Sequence, residues 1–150
     1  MENYAVTSKH ILLAEDDLDD TFFFIDIVKE ISSDIIIHHC KDGIELMNKL
    51  NTDIQPSIIF LDIKMPHKNG FQCIAEIRAS EKHKKLPVAV LSSSGSDDII
   101  SIMYEAGANN YIKKPNDYKV WKIILEKVLK MDWNQYTPLS NRKYFLLTEK

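Results

Sequence analysis

Glycine and cysteine are scarce in this 150-residue chain, and neither sign of charge dominates it. Its four glycines, Gly43, Gly70, Gly95 and Gly107, form neither a GxGxxG nor a GxxxxGK[ST] pattern. That argues against a dinucleotide-binding turn and excludes a P-loop nucleotide site. Two cysteines, Cys40 and Cys73, are too few for a disulfide framework and too sparse for a zinc site. Both fall in apolar periodic segments and are expected to be buried free thiols in a reducing compartment. The balance of 19 basic and 22 acidic side chains, net −3, carries no electrostatic footprint for nucleic acid. No apolar run approaches a membrane span, and the opening MENYAVTSKH has no signal-peptide core. A cytoplasmic protein without membrane or nucleic-acid partners is therefore expected.

What is present is an alternation of strand-like and helix-like segments. Short apolar runs, several of them rich in Ile and Val, lie at Ile11–Ala14, Ile35–His39, Ser57–Leu61, Val88–Leu91 and Tyr111–Lys113. Such runs read as buried strands of a parallel sheet. Between and after them, helical spacing is expected over Leu18–Ile31, Gly43–Leu50, Gly70–Ser80, Asp97–Glu105 and Asp117–Met131. Five βα units in series imply one parallel sheet with helices on both faces. Gly107 is expected as the left-handed cap of the fourth helix. In the last helix Val120, Ile123, Ile124, Lys127 and Val128 give the expected core stripe. The domain is expected to span residues 9–131, after a short lead over 1–8. The remainder, 132–150, is too short for a second domain, so no output domain is expected.

Ligands of an open parallel α/β sheet bind outside the carboxyl ends of its strands. The first strand runs into Glu15, Asp16, Asp17, Asp19 and Asp20. Asp62 ends the third strand, Ser92 the fourth, and Lys114 followed by Pro115 the fifth. Glu15, Asp16 and Asp62 would repel one another unless a cation offsets them. Mg²⁺ suits the set, because it takes oxygen ligands and keeps positions open for water and phosphate. Ser92 and Lys114 would then serve the other phosphoryl oxygens. Asp17 reads as a helix N-cap, and Asp19 and Asp20 as first-turn acids that favour the helix dipole.

The segments ILLAEDD, IIFLDIKMPHKNG, LPVAVLSSS and AGANNYIKKP, in that order, resemble the receiver domains of two-component response regulators. The resemblance implies a flavodoxin-like, doubly wound, five-stranded parallel sheet of order 2-1-3-4-5. It also implies Asp62 as phosphoacceptor, with Glu15, Asp16, Asp62 and the Lys64 backbone carbonyl as ligands of Mg²⁺. Ser92 would be the switch hydroxyl, Tyr111 the aromatic switch residue and Lys114 the phosphoryl-binding lysine. The Lys114–Pro115 bond is cis in many members of the family. Where Lys64 stands, a neutral or smaller residue is common, which bears on phosphoryl lifetime. LSSSGSDD, and Trp133 followed by Pro138 and Leu139, are similar to the small stand-alone regulators that partner bacterial phytochrome kinases. The function so implied is a phosphorylation-driven switch rather than an enzyme. Phosphate would arrive from a histidine kinase or phosphotransfer protein, and the signal would pass to a downstream protein. A scaffold without phosphoryl chemistry has no need of this residue set.

Other groups invite plainer readings. His38, His39 and Cys40 alternate along a strand and cannot converge on one metal. Arg78, Lys82, His83, Lys84 and Lys85 read as a solvated helix end. Phe24 belongs to an arc with Ile25, Ile27, Val28 and Ile31, which leaves Phe22 and Phe23 outside it, available for contact or peripheral packing. The tail residues Trp133, Tyr136, Pro138, Leu139, Tyr144, Phe145, Leu146 and Leu147 are too apolar for a linker. They imply a homodimer contact or an intramolecular brace, and the likeness to stand-alone regulators favours the dimer.

Overall fold

A computed structural model describes residues 9–131 and 145–148. Six parallel strands and five helices alternate: β1 (His10–Ala14), α1 (Leu18–Ile31), β2 (Ile36–Cys40), α2 (Gly43–Leu50), β3 (Ile58–Asp62), α3 (Gly70–Ala79), β4 (Val88–Ser92), α4 (Asp97–Glu105), β5 (Asn110–Lys113), α5 (Tyr118–Leu129) and β6 (Leu146–Leu147). The sheet order is β2-β1-β3-β4-β5-β6. The doubly wound core is as the sequence implies, with one strand added from the tail.

The central strands β3 and β4 are buried along their whole length, which is why they read as unbroken apolar runs. One core layer joins Leu12, Ile59, Leu61 and Val90 of the sheet to Leu46 of α2, Ile74 of α3 and Met103 of α4. The opposite layer joins Leu13, Phe60 and Leu91 to α1 and α5. Side-chain caps fix the helix starts: Asp17 accepts the Asp20 amide and Asp42 the Glu45 amide. Asn69 and Gln72 form a reciprocal capping box on α3. Gly107 takes φ +96° at the end of α4, the left-handed conformation expected of it.

The tail adds a short sixth strand to the expected five. Tyr111 pairs with Leu146 and Ile112 with Leu147, so β6 extends the sheet beyond β5. The Phe145 carbonyl accepts the Tyr111 amide at 2.9 Å and the Asn110 side-chain amide at 3.2 Å. The Phe145 ring is fully buried, edge-on to Tyr104 at 5.1 Å. This part of the tail is therefore an intramolecular brace. Trp133, Tyr136, Pro138, Leu139 and Tyr144 lie outside the described residues.

Three further expectations change. The buried face of α5 is Trp121, Ile124, Leu125 and Val128, while Ile123 is 67% exposed. Apolar residues occupy both sides of that helix, and α5 turns the Trp121 side to the sheet. The basic cluster is not a solvated end throughout. Arg78 donates to the carbonyls of Gly107, Lys84 and Leu86 and to Asn109 Oδ1, and His83 is buried. Arg78 thus clamps the end of α3 to the turn before β5. The Lys114–Pro115 bond, like every described peptide bond, is trans.

On α1 the buried residues are Thr21, Phe24, Ile27 and Val28. Ile25 and Ile31 stand at the margin of the expected arc, and Phe22 is 61% exposed. Phe23 packs edge-on to Tyr118 of α5 at 5.3 Å, a peripheral contact. Among the described residues no helix is long and apolar enough to cross a membrane.

Candidate functional site

Sheet register brings the acids together. Ala14 of β1 lies beside Leu61 of β3, so the next residues, Glu15 and Asp62, leave neighbouring strands at the same level. Asp16 follows Glu15 before Asp17 starts α1. Carboxylate oxygens of Glu15, Asp16 and Asp62 all lie within 4.8 Å of one another. Glu15 and Asp62 are buried, whereas Asp16 is exposed. Three oxygen donors, one of them facing water, fit a hard divalent cation that keeps solvent ligands.

Lys114 reaches the cluster from the end of β5. Its Nζ stands 2.7 Å from Glu15 Oε1, 2.9 Å from Asp20 Oδ2 and 3.6 Å from Asp62 Oδ2. The first two are hydrogen bonds and the third is a looser ion pair. Burial and the contact with Asp62 push the Glu15 carboxyl up to about 7, against the downward pull of Lys114. Burial alone would lower Lys114. The hydrogen bond to Glu15 and the charges of Asp62 and Glu15 override it, and hold the ammonium above the usual lysine value.

The acids and Lys114 line an open cleft of about 540 Å³, with Lys64 and Ser93 on its wall. Ser92, at the end of β4, is buried, and its Oγ accepts the Ser94 amide at 3.1 Å. Ser93, not Ser92, is the serine that lines this cleft. Tyr111 is fully buried, and its hydroxyl donates to the Ser94 carbonyl at 2.8 Å. The loop after β4 is thus bonded both to the end of its own strand and to Tyr111 of β5. Gly70 lets α3 start directly against the Asp62 strand end: a Cβ there would meet the Asp62 carbonyl oxygen at 2.7 Å. In the same loop His67 adopts φ +66°, the one non-glycine residue in the left-handed region among those described.

Two contacts were not legible as site contacts in the sequence. Asp20 is a direct partner of Lys114 rather than only a first-turn acid. Its signal was position, since α1 begins three residues beyond Glu15 and its first turn overhangs the cleft. His39 Nε2 lies 2.7 Å from the Glu15 carbonyl and ties the acidic loop to β2. His38 bonds to His10 instead, so the two histidines serve different places. Both cysteines are free and buried, and burial pushes each thiol up to about 11, which leaves them unreactive.

Residues 11–125 match the sequence profile of the response regulator receiver domain. This chain belongs to that family. The receiver is 30% identical to the response regulator Rcp1 of Synechocystis sp. over 117 residues, 74% of this chain and 80% of that one. It is 32% identical to the chemotaxis protein CheY1 of Helicobacter pylori over 87 residues, 58% of this chain and 70% of its relative. The phosphorylated cyanobacterial phytochrome response regulator RcpA has a similar structure. Its TM-score is 0.76 at 29% identity, covering 83% of this chain and 96% of RcpA. The Mn²⁺-bound form of Rcp1 gives 0.75 at 28% identity, with the same coverage. The receiver is thus a two-component signalling protein similar to phytochrome response regulators, and its acid cluster suits a divalent metal.

Proposed function

We propose that this receiver takes a phosphoryl group on Asp62 from a histidine kinase, in a Mg²⁺-dependent reaction. The observation that carries the reading is the meeting of Glu15, Asp16, Asp62 and Lys114 at one strand edge. An Asp62 oxygen attacks the phosphorus of a phosphohistidine. The P–N bond breaks, and its electron pair stays on the imidazole nitrogen, which takes up a proton. Mg²⁺, held by Glu15, Asp16, Asp62 and the Lys64 backbone carbonyl, would neutralise phosphoryl oxygens as charge shifts. Lys114 binds a further phosphoryl oxygen, and its ammonium is close enough to need only a small movement. Ser92 and Tyr111 form the switch pair, because both bond to the Ser94 segment that borders the site.

Likeness to Rcp1 and RcpA supports a phytochrome-type kinase as the phosphate source. The output is binding of a downstream protein in the cytoplasm. The chain would act as receiver domain (9–131) plus tail (132–150), with exposed Leu146 and Ile123 available to a homodimer contact. Asp62→Asn should abolish labelling by a small phosphodonor with Mg²⁺, and peptide mapping of the wild type should place the phosphate on Asp62. Phosphate retained at the same site in the variant would overturn the assignment.

Lys64 sets how long the phosphoryl group lasts. Its side chain lines the cleft mouth, where it shields the acyl phosphate from water. Lys64→Ala should shorten the half-life several-fold, on the order of 1 kcal/mol in barrier. A half-life equal to or longer than that of the wild type would contradict this role.

A further inference from the structure

We infer that Asp20 is a positioning residue that holds Lys114 off the phosphoacceptor until phosphate arrives, and so limits the rate of phosphorylation. The inference rests on Asp62 being the phosphoacceptor.

The Lys114 ammonium has three hydrogens and three carboxylates around it. It spends its two short bonds on Glu15, at 2.7 Å, and Asp20, at 2.9 Å, and stands 3.6 Å from Asp62. Asp20 therefore draws the amine towards α1. When Asp62 becomes an acyl phosphate, new oxygens compete for the same ammonium. The two present partners differ in what their release costs. Glu15 is 2% exposed at its side chain, and water cannot reach a carboxylate buried that deeply to replace the ammonium. Asp20 is 49% exposed, so water solvates it as soon as the lysine leaves. Asp20 is thus the partner that yields.

Asp20 is also held in place to do this. It sits in the first turn of α1, where Asp17 Oδ1 accepts its amide at 2.9 Å. The helix start fixes its backbone while its carboxylate crosses the cleft mouth to a residue 94 positions away in sequence. Asp19 is an adjacent aspartate, also exposed, yet makes no described bond to Lys114. It is the natural control for charge alone.

An exposed ion pair is a weak tether, so its removal is worth at most about fivefold in rate. D20N should be labelled by a small phosphodonor with Mg²⁺ up to about fivefold faster than wild type. D19N removes the same charge and should be accelerated clearly less. D20E should return the rate towards wild type, and in a Lys114→Ala background D20N should have no effect of its own. A second readout needs neither metal nor phosphate. In lysine-¹⁵N-labelled protein, the Lys114 ammonium protons should exchange with water faster in D20N than in wild type or D19N. If D20N and D19N label at the same rate, or D20N still accelerates labelling without Lys114, Asp20 acts only as bulk charge and the inference fails. Unchanged ammonium exchange in D20N would also overturn it. Wild-type protein that takes no phosphate on Asp62 would overturn the functional reading as well, while the exchange measurement still reports whether Asp20 holds Lys114.

Discussion

Lys114→Ala is expected to destabilise the metal-free protein by up to about 1.4 kcal/mol more at pH 8 than at pH 5. Glu15 is 1% exposed, and Lys114 is the only cation bonded to it among the described residues. Without the ammonium, Glu15 must either stay ionised and buried or take up a proton. Its carboxyl is already raised to about 7 by burial, from a reference of 4.5, and losing Lys114 raises it further. A carboxyl whose folded-state pKa exceeds its unfolded value binds more protons when folded. Its favourable contribution is present at low pH and lost as pH rises through the folded value. The gap between variant and wild type should therefore widen from pH 5 to pH 8. Urea denaturation in chelator at the two pH values measures it, and a gap independent of pH would mean that Glu15 does not depend on Lys114. The same variant should accept phosphate on Asp62 without the conformational shift, because the ammonium serves the phosphoryl group.

Phe145→Ala should cost about 3 kcal/mol, at the lower end of losses for a buried phenylalanine. The ring is 1% exposed and packs on Tyr104, and the backbone beside it pairs with β5. The loss is bounded by the docking free energy of the segment, because β6 has only two residues and lies at the sheet edge. Once that bound is passed, the strand detaches rather than the domain unfolding further. Leu146→Ala, at a half-exposed neighbour, should stay within about 1 kcal/mol. Equal losses in the two variants would mean that the ring does not anchor the tail. Detachment would also uncover Tyr111, which ties tail docking to the switch region.

The helices were legible wherever a polar cap preceded an apolar face. α1, α2 and α4 begin and end at the expected residues, with Asp17 and Asp42 capping the first two. The site was legible because a parallel sheet sends strand ends to one edge, so Glu15, Asp16, Asp62 and Lys114 had to meet there. What escaped was decided by distant partners. β6 is two residues long and has no periodicity, and its partner strand lies 35 positions earlier. Arg78 looked like one of several solvated charges, yet its acceptors are carbonyls and an amide on loops that the sheet brings beside α3. Ile123 and Trp121 are both apolar, and only the packing of α5 beside α1 on the sheet selects the tryptophan. Ser92 and Ser93 are identical in chemistry, and the turn after β4 decides which of them faces the cleft.

The most direct test of the central claim is the intact mass of the full-length protein after incubation with a small phosphodonor, with Mg²⁺ and with chelator. The protein should gain one phosphoryl group in Mg²⁺ and none in chelator, and Asp62→Asn should gain none under either condition. Equal labelling in chelator, or a wild-type protein that gains no mass in Mg²⁺, would contradict it.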